Sequence, residues 1–311
     1  MKIVFLGSND SSVEFLRELI KNEQVTAVVT RPDKPSGRGL EMHSSPVKIF
    51  SQKNNIPVLD LEQYKALPEK PGLAIAVAYG KILKKETFSF PVNGTINIHF
   101  SLLPKYRGAS PMQWAIINGE NTTGVTSFFI DEGLDTGNII LQKEVNIEEI
   151  DDFPALEKKM NNAGIAIMNE SIELIKKSAV KYSKQSGTVT NAPPLKKSDG
   201  IIHWQEKTAV EVFNLIKGTR PWPGAHTALE EKEIFNLKII DACPFKETEE
   251  IKNNTGSLSG EITALIKGRG FVVKCKESLL EIKNVQRENR KPMAAWDFWQ
   301  GARMKIGDRF K

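Results

Sequence analysis

The chain contains little cysteine and no long apolar run. Its two cysteines, Cys243 and Cys275, lie far apart in the sequence, without the close spacing of metal ligands. This excludes a disulfide framework, and a reduced, cytoplasmic compartment is expected. No apolar run approaches the roughly 20 residues that cross a bilayer, so we expect no membrane partner. The short apolar segment of residues 2–7 predicts a first buried strand rather than a signal peptide.

Two nucleotide-binding signatures are also missing. The glycine-rich G-x-G-x-x-G turn of dinucleotide-binding folds is absent, although Gly7-Ser8-Asn9 follows the first predicted strand. The Gly-Lys-Ser/Thr of phosphate-binding loops is absent as well. The sequence therefore disfavours a nicotinamide cofactor and nucleotide hydrolysis.

Charge is unevenly distributed along the 311 residues, which carry a net charge of +5. Residues 1–203 contain 24 Lys and Arg against 23 Asp and Glu, a net charge of +1. Residues 204–311 contain 19 against 15, a net charge of +4. This basic excess is compatible with a polyanionic partner, although alone it is weak evidence.

The order of the predicted elements indicates an α/β protein. Strands alternate with helical patterns through residues 1–181, which predicts a Rossmann-like, mostly parallel sheet with helices on both faces. Residues 182–201 are rich in Ser, Thr, Pro and Lys and read as an interdomain linker. Short strands broken by Gly and polar turns in residues 202–311 predict a small, OB-like β-barrel domain.

The segment around Asn97 and His99 carries the strongest chemical signal. These residues stand two apart in an apolar stretch, so their side chains share one face of a predicted strand. An amide and an imidazole aimed at one spot can hold a carbonyl oxygen as it becomes an oxyanion. Asp135 follows a later strand, and its carboxylate could orient the imidazole or help move a proton. The three residues predict acyl-transfer chemistry.

Other interpretations of these residues are weaker. A lone histidine at a strand end is usually a satisfied, partly buried side chain, but Asn97 on the same face favours a site. The run Asp131-x-Gly133-x-Asp135-x-Gly137 resembles part of a calcium loop, yet the twelfth position, where that loop needs an acidic residue, is Gln142. We therefore expect no metal.

Several segments resemble the folate-dependent formyltransferases, and the resemblance spans essentially the whole chain. The segments shared with the family in general are Asn97-x-His99-x-Ser101-Leu102-Leu103-Pro104, Tyr106-Arg107-Gly108-Ala109-x-Pro111 and Gly133-x-Asp135-Thr136-Gly137. Further segments resemble the members that act on aminoacyl-tRNA: Arg31–Gly39, Ala78–Leu83, Trp222-Pro223, Lys291-x-Met293 and Gly307-Asp308-x-Phe310.

The resemblance implies a function and a set of site residues. The formyl donor is expected to be 10-formyltetrahydrofolate, and the acceptor the α-amine of initiator methionyl-tRNA. The implied catalytic residues are Asn97, His99 and Asp135. The implied folate-binding residues are Ile82, Ser101, Leu102, Leu103 and Pro104. The basic loop, with Arg31, Lys34 and Arg38, and the C-terminal barrel are expected to contact the tRNA, and we expect a monomer.

The sequence departs from the family pattern at two places and leaves rival functions open. Phe100 stands where the family usually has a small residue, and Ser8–Ser12 replaces its usual first strand-to-helix turn. A sugar-nucleotide formyltransferase or a formyl-folate hydrolase could share Asn97, His99 and Asp135, but neither needs the basic loop. A nucleic-acid-binding protein with an idle α/β half is a further alternative.

Overall fold

The computed structural model describes residues 1–36, 41–230, 234–246 and 257–311. The chain divides into two compact units. The first comprises Met1–Met112, Asn121–Ile147 and Ala155–Pro193. The second comprises Gln113–Glu120, Glu148–Pro154 and Pro194–Lys311.

The first unit is built on a mostly parallel sheet. In chain order its strands are β1 (Lys2–Gly7), β2 (Gln24–Val29), β3 (Lys34–Ser36), β4 (Glu41–His43), β5 (Val58–Leu59), β6 (Leu73–Val77), β7 (Thr95–His99), β8 (Arg107–Gly108), β9 (Thr122–Phe129), β10 (Ile139–Asn146) and β11 (Asn191–Ala192). The main sheet has the order β10-β9-β7-β6-β1-β2-β5, and only the pairs of β9 with β7 and β10 are antiparallel. β3 and β4 form a hairpin, and β8 pairs with β11. The predicted α/β class is thereby confirmed.

The helices up to residue 176 include several that begin at capping side chains. They are α1 (Asp10–Asn22), α2 (Pro46–Lys53), α3 (Leu61–Lys65), α4 (Lys85–Phe88), α5 (Pro111–Ile117) and α6 (Phe153–Lys176). The Asn9 side chain accepts the Ser12 N–H at 2.9 Å and caps α1. Ser45 caps α2, with a proline at its start. No helix in the described parts of the chain is both long and apolar enough to cross a membrane.

Helices cover both faces of the main sheet. On one face Tyr64 of α3 packs into a buried cluster with Val4 and Leu6 of β1. On the other face α6 comes so close that a Cβ on Gly164 would lie 2.7 Å from Phe15 of α1 and 3.3 Å from Ile98 of β7. Burial on both faces explains why the strands read as continuous apolar runs.

The second unit is an antiparallel sheet with several helices. Its strands are β12 (His226–Glu230), β13 (Ile234–Phe245), β14 (Ile262–Ile266), β15 (Gly270–Lys274), β16 (Leu279–Arg287) and β17 (Met293–Ala294). Besides residues 113–117 of α5, its helices are a 3-10 turn (Lys197–Gly200), α7 (Ala209–Gly218) and α8 (Ala295–Ala302). The strand order is β12-β13-β16-β15-β14, with β17 beside β16. The predicted short antiparallel strands are confirmed, and closure into a barrel stays a prediction.

The segment predicted as a linker makes backbone hydrogen bonds in its first half. Residues 182–193 group with the first unit, and residues 194–201 with the second. Ser183 exchanges two backbone hydrogen bonds with Ile139, at 2.8 and 3.0 Å. Further along, β11 pairs with β8. Polar side chains made this segment read as a free linker, because backbone pairing leaves little trace in composition.

Candidate active site

A cavity of about 700 Å³ opens at the carboxyl ends of the central parallel strands of the first unit. Ser8 and Asn9 follow β1, the segment 78–83 follows β6, and Asn97–Phe100 ends β7, and all of them line the cavity. Parallel sheets bind ligands at this edge. The volume lies within the roughly 300–1,000 Å³ of small-molecule sites.

Asn97 and His99 lie on one face of β7, as their spacing predicts. Their cross-strand neighbours on β9 are Phe128 and Thr126. The His99 ring is buried, with 5 % of its surface exposed, and it meets the Phe128 ring edge-on at 6.5 Å. The tight surroundings fix the imidazole where it borders the cavity.

The two ring nitrogens of His99 have different partners. Nε2 lies 2.9 Å from the Tyr106 carbonyl oxygen. A carbonyl only accepts, so Nε2 carries a proton in this arrangement. Nδ1 faces Asp135, with Oδ2 at 3.8 Å. Nδ1 is therefore the nitrogen left to exchange a proton or to donate to a reacting oxygen.

Asp135 reaches this position from the loop after β9. Its backbone is left-handed, with φ +53°. Its Oδ2 accepts the Gly108 N–H at 2.8 Å, which holds the carboxylate beside the imidazole. The structure thus brings Asn97, His99 and Asp135 to one cavity, as the sequence analysis expected. Their catalytic roles stay predictions.

The residues expected to bind folate separate into two groups. Ile82 lines the cavity and is 78 % exposed. The exposed side chain of Leu134, which sequence reasoning had not singled out, lines the same cavity. Ser101, Leu102, Leu103 and Pro104 are not among the described residues that line it.

The turn after His99 makes internal hydrogen bonds instead. Ser101 Oγ donates to the Lys105 carbonyl at 2.6 Å, and the Leu103 N–H donates to Thr126 Oγ1 at 3.1 Å. Thr126 Oγ1 in turn donates to the Ser101 carbonyl at 2.6 Å. The turn therefore supports the end of β7, and folate contact by Ser101–Pro104 stays a prediction that this geometry does not favour.

The basic residues expected to contact tRNA also differ from one another. Arg31 donates from Nε to the Tyr79 carbonyl and from Nη2 to the Gly80 carbonyl, each at 3.2 Å. Gly80 has φ +74°, and a Cβ there would lie 1.6 Å from Arg31 Nη2, so this contact requires glycine. Lys34 is exposed at the cavity. Arg38 lies outside the described residues.

Sequence reasoning missed other lining residues. His43 pairs with Lys34 across the β3–β4 hairpin and lines the cavity, but nothing in its local sequence indicates that pairing. Asn9 and Tyr79 directly follow strands, a position that could have singled them out. Burial raises the pKa of the Tyr79 hydroxyl. No group of three His, Cys, Asp or Glu side chains within the described ranges is placed to hold a metal ion.

Comparisons with known proteins cover nearly the whole chain. The formyl transferase domain matches residues 1–172, and the formyl transferase C-terminal domain matches residues 194–303. The methionyl-tRNA formyltransferase of Endomicrobium trichonymphae is 38% identical over 319 residues, covering 100% of both chains. That of Thermodesulfovibrio yellowstonii is 40% identical over 314 residues, covering 98% of this chain and 97% of the relative.

Solved structures share the fold at lower identity. An N-formyltransferase from Helicobacter canadensis, in complex with folinic acid and dTDP-3-aminofucose, is 22% identical with a TM-score of 0.67, covering 92% of this chain and 99% of that chain. HypX from Aquifex aeolicus, in complex with tetrahydrofolic acid, is 16% identical with a TM-score of 0.64, covering 99% of this chain and 48% of that chain. At these identities the likeness shows the fold alone.

Proposed function

The chain belongs to the formyl transferase family, and we propose that it transfers the formyl group of 10-formyltetrahydrofolate to the α-amine of initiator methionyl-tRNA. One observation carries the proposal: relatives named methionyl-tRNA formyltransferase match the chain over its full length. The product would serve translation initiation, which places the reaction in the cytoplasm. We also expect the enzyme to act as a monomer.

In the proposed reaction, the amine attacks the formyl carbon and gives a tetrahedral species with a negative oxygen. The Asn97 amide and protonated His99 hold that oxygen. Because Nε2 of His99 already donates to the Tyr106 carbonyl, the second donor is Nδ1. Preorganised donors of this kind stabilise developing charge without reorganising during the reaction.

Asp135 lines the cavity beside His99, where its carboxylate can accept a proton from the attacking amine. A carboxylate 3.8 Å from Nδ1 stabilises the imidazolium. The attacking amine must lose a proton as the new C–N bond forms, and Asp135 accepts it, directly or through water. As the tetrahedral species collapses, the bond between the formyl carbon and N10 of the folate breaks, and N10 takes up a proton and leaves as tetrahydrofolate. Much of the acceleration comes from holding both substrates in one cavity, which converts a bimolecular encounter into an oriented step.

The two substrates use different parts of the cavity. Exposed Ile82 and the segment 78–83 offer apolar surface for the folate ring system. Lys34 and His43, on the β3–β4 hairpin, offer basic side chains for a phosphate of the tRNA acceptor end. We also assign tRNA contact to the basic loop with Arg31 and Arg38, and to the C-terminal domain.

The deciding experiment is formyl transfer from 10-formyltetrahydrofolate, measured with methionyl initiator tRNA, free methionine and a sugar-nucleotide amine in parallel. Formylation of the charged tRNA alone is expected. Formylation of the sugar nucleotide, or release of formate without tRNA activity, would overturn the proposed acceptor while keeping the Asn97, His99 and Asp135 chemistry.

The basic loop is tested separately. Arg38→Ala should weaken use of aminoacyl-tRNA, seen as a higher KM for tRNA, without changing the Kd of 10-formyltetrahydrofolate, because a phosphate contact contributes mainly to binding. The affinity for tRNA should fall more steeply with salt concentration in the wild type than in the variant, because the variant neutralises one phosphate fewer. Unchanged kinetics with tRNA would contradict the assignment of tRNA contact to this loop and indicate an ordinary solvated surface loop.

A further inference from the structure

The segment between the two family matches contains a side chain that reaches the candidate active site. Residues 173–193 lie outside both matched ranges, 1–172 and 194–303. Within residues 181–190, Gln185 and Thr190 are partly buried, and the other side chains are exposed. The partial burial of these two polar side chains indicates that each of them has specific hydrogen-bond partners.

Gln185 joins two loops of the first unit through its amide group. Its Nε2 donates to the backbone carbonyls of Asp135, at 2.8 Å, and Gly137, at 3.0 Å. Its Oε1 accepts from Arg107 Nη2 at 2.6 Å and from Nε at 3.2 Å. Arginine only donates and carbonyls only accept, so the partners fix the orientation of the amide.

Arg107 lies between the two backbone groups that orient the catalytic pair. The carbonyl of Tyr106 holds His99 Nε2, and the N–H of Gly108 holds Asp135 Oδ2. Gln185 therefore ties the strand that carries both groups to the backbone of Asp135 itself. Gln185 thereby joins Arg107, the residue before Gly108, to the residue whose carboxylate accepts the Gly108 N–H.

Thr190 completes this attachment. Its Oγ1 accepts the Tyr106 N–H at 2.8 Å, and its carbonyl accepts the Arg107 N–H at 2.9 Å. Tyr106 and Asp135 both adopt left-handed backbone conformations, at φ +59° and +53°. Residues with a Cβ occupy that region only where their surroundings impose it. The hydrogen bonds from Gln185 and Thr190 supply such constraints.

We propose that Gln185 is a positioning residue for formyl transfer: its amide, held by Arg107, sets the His99–Asp135 geometry by fixing the Asp135 loop. The kinetic consequence rests on the function proposed above. The geometric consequence does not, because it concerns the His99 ring and its hydrogen bonds alone.

The kinetic test compares Gln185→Leu and Gln185→Glu with Thr188→Ala, an exposed neighbour in the same segment. Gln185→Glu keeps the size and the acceptor for Arg107 but loses the donors to both carbonyls. We expect kcat to fall about 10- to 100-fold in both Gln185 variants, as small misplacements of catalytic groups do, with KM for both substrates within about 2-fold. Thr188→Ala should match the wild type.

A double variant separates positioning from general damage. If Gln185 acts through Asp135, then Gln185→Leu should cause no further loss in an Asp135→Ala background. An additive loss, or a change confined to KM, would overturn the proposal. If Gln185→Leu does not fold, Gln185→Glu and Arg107→Lys carry the same comparison.

The geometric test needs no substrate. The chain has four histidines, so the imidazole ¹⁵N resonances of His99 can be identified by their loss in His99→Gln. The Gln185 variants should shift these resonances, because the Asp135 carboxylate that faces Nδ1 is less constrained, whereas Thr188→Ala should not. Unchanged His99 resonances in folded Gln185 variants would overturn the proposal, whichever acceptor the enzyme uses.

Discussion

The two units place strained backbone in different locations. In the first unit, three residues that are not glycine adopt left-handed conformations at the cavity or directly behind it: Ala78, Tyr106 and Asp135. Two more, Asn55 and Ser178, follow the ends of helices, where such conformations are common. The strain in this unit is therefore concentrated where the chemistry is proposed.

The second unit has left-handed residues only at ordinary turns among its described residues. Asn289 lies between β16 and β17, and Arg303 caps the C-terminus of α8. Around them lies one continuous buried cluster that includes Trp204, Phe271 and Phe310. Among the described residues, left-handed residues other than glycine therefore cluster at the candidate site in the first unit and are confined to turns in the second.

The largest expected effect sharpens this contrast in the second unit. Phe271 is fully buried and stacks on Phe310 at a ring distance of 6.0 Å. Phe271→Ala should cost about 3–5 kcal/mol, because it removes buried apolar surface and leaves a cavity. Hydrogen exchange of β15 and β16 amides would measure the loss, with Val210→Ala, exposed on α7, as the control. A loss below about 1 kcal/mol would contradict the view of this unit as a tightly packed scaffold.

A comparable effect on rate, but not on stability, is expected in the first unit. His99→Ala and Asp135→Ala should each lower kcat by about 10²–10³, equivalent to about 2.7–4 kcal/mol of barrier. The Kd of 10-formyltetrahydrofolate should persist in both, because neither side chain provides the apolar cavity wall. Equilibrium binding and single-turnover rates would separate these effects. Turnover near that of the wild type in either variant would exclude its assigned role.

A smaller effect tests the strain itself. Ala78→Gly and Arg303→Gly each replace a left-handed residue, with φ of +45° and +54°. Glycine removes the steric cost of the left-handed conformation, which stabilises the folded chain. Its greater conformational entropy in the unfolded chain offsets part of this gain, so each substitution should raise the free energy of unfolding by about 0.5–1 kcal/mol.

Only the site variant should also change ligand binding. Ala78 lines the cavity, so Ala78→Gly should loosen the segment 78–83 and weaken folate binding several-fold. Thermal unfolding and folate titration would be measured on both variants. Equal folate affinity in the two would show that the Ala78 conformation contributes nothing to the site.

The smallest expected effect depends on pH. Burial, with the nearby Glu14 and Asp10 carboxylates, raises the pKa of Glu157. The folded chain then holds this proton more tightly than the unfolded chain. The stability that this carboxyl contributes is therefore present below about pH 4.5 and lost as pH rises through the raised value. Glu157→Gln should raise Tm at pH 8 and leave it unchanged at pH 4.

Lys217 gives the opposite trend in the second unit. Burial lowers the pKa of its ammonium group, although Glu149, Asp151 and Asp152 partly offset this. The contribution of Lys217 to stability should therefore rise as pH increases toward 10.5.

For Glu157, a Tm of Glu157→Gln that exceeds that of the wild type equally at pH 8 and pH 4 would contradict the assignment.

Much of the fold could be read from local patterns. Alternating strands and helices predicted the α/β sheet, because a residue's face in a strand or helix follows from its position along that element. The same rule placed Asn97 beside His99. The place of Asp135 beside them does not follow from this rule, because β9 runs antiparallel to β7 and the carboxyl ends of the two strands lie at opposite edges of the sheet. Its contact with Gly108 does not follow from it either.

Several contacts of the predicted site residues lie outside that rule. The Ser101–Pro104 turn carries the family motif, and its hydrogen bonds support the end of β7. Arg31 was assigned to tRNA because its loop resembles the family's basic loop, and its guanidinium contacts the Tyr79 and Gly80 carbonyls. The roles of both stay predictions. His43 borders the cavity only because a hairpin pairs it with Lys34. Charge and motif membership do not specify the partner that a long side chain reaches.

The sequence by itself determined the fold class, the two-part organisation of short antiparallel strands after an α/β region, and the Asn97, His99 and Asp135 set. Local periodicity encodes the fold class, the two-part organisation and the shared face of Asn97 and His99, and the family motif adds Asp135. Only the tertiary structure decided that the Tyr106 carbonyl binds His99 Nε2 and that Gln185 reaches Asp135 from a segment that read as linker. Both depend on backbone carbonyls, which every residue carries, so the residue types leave no trace of the pairing until the chain has folded.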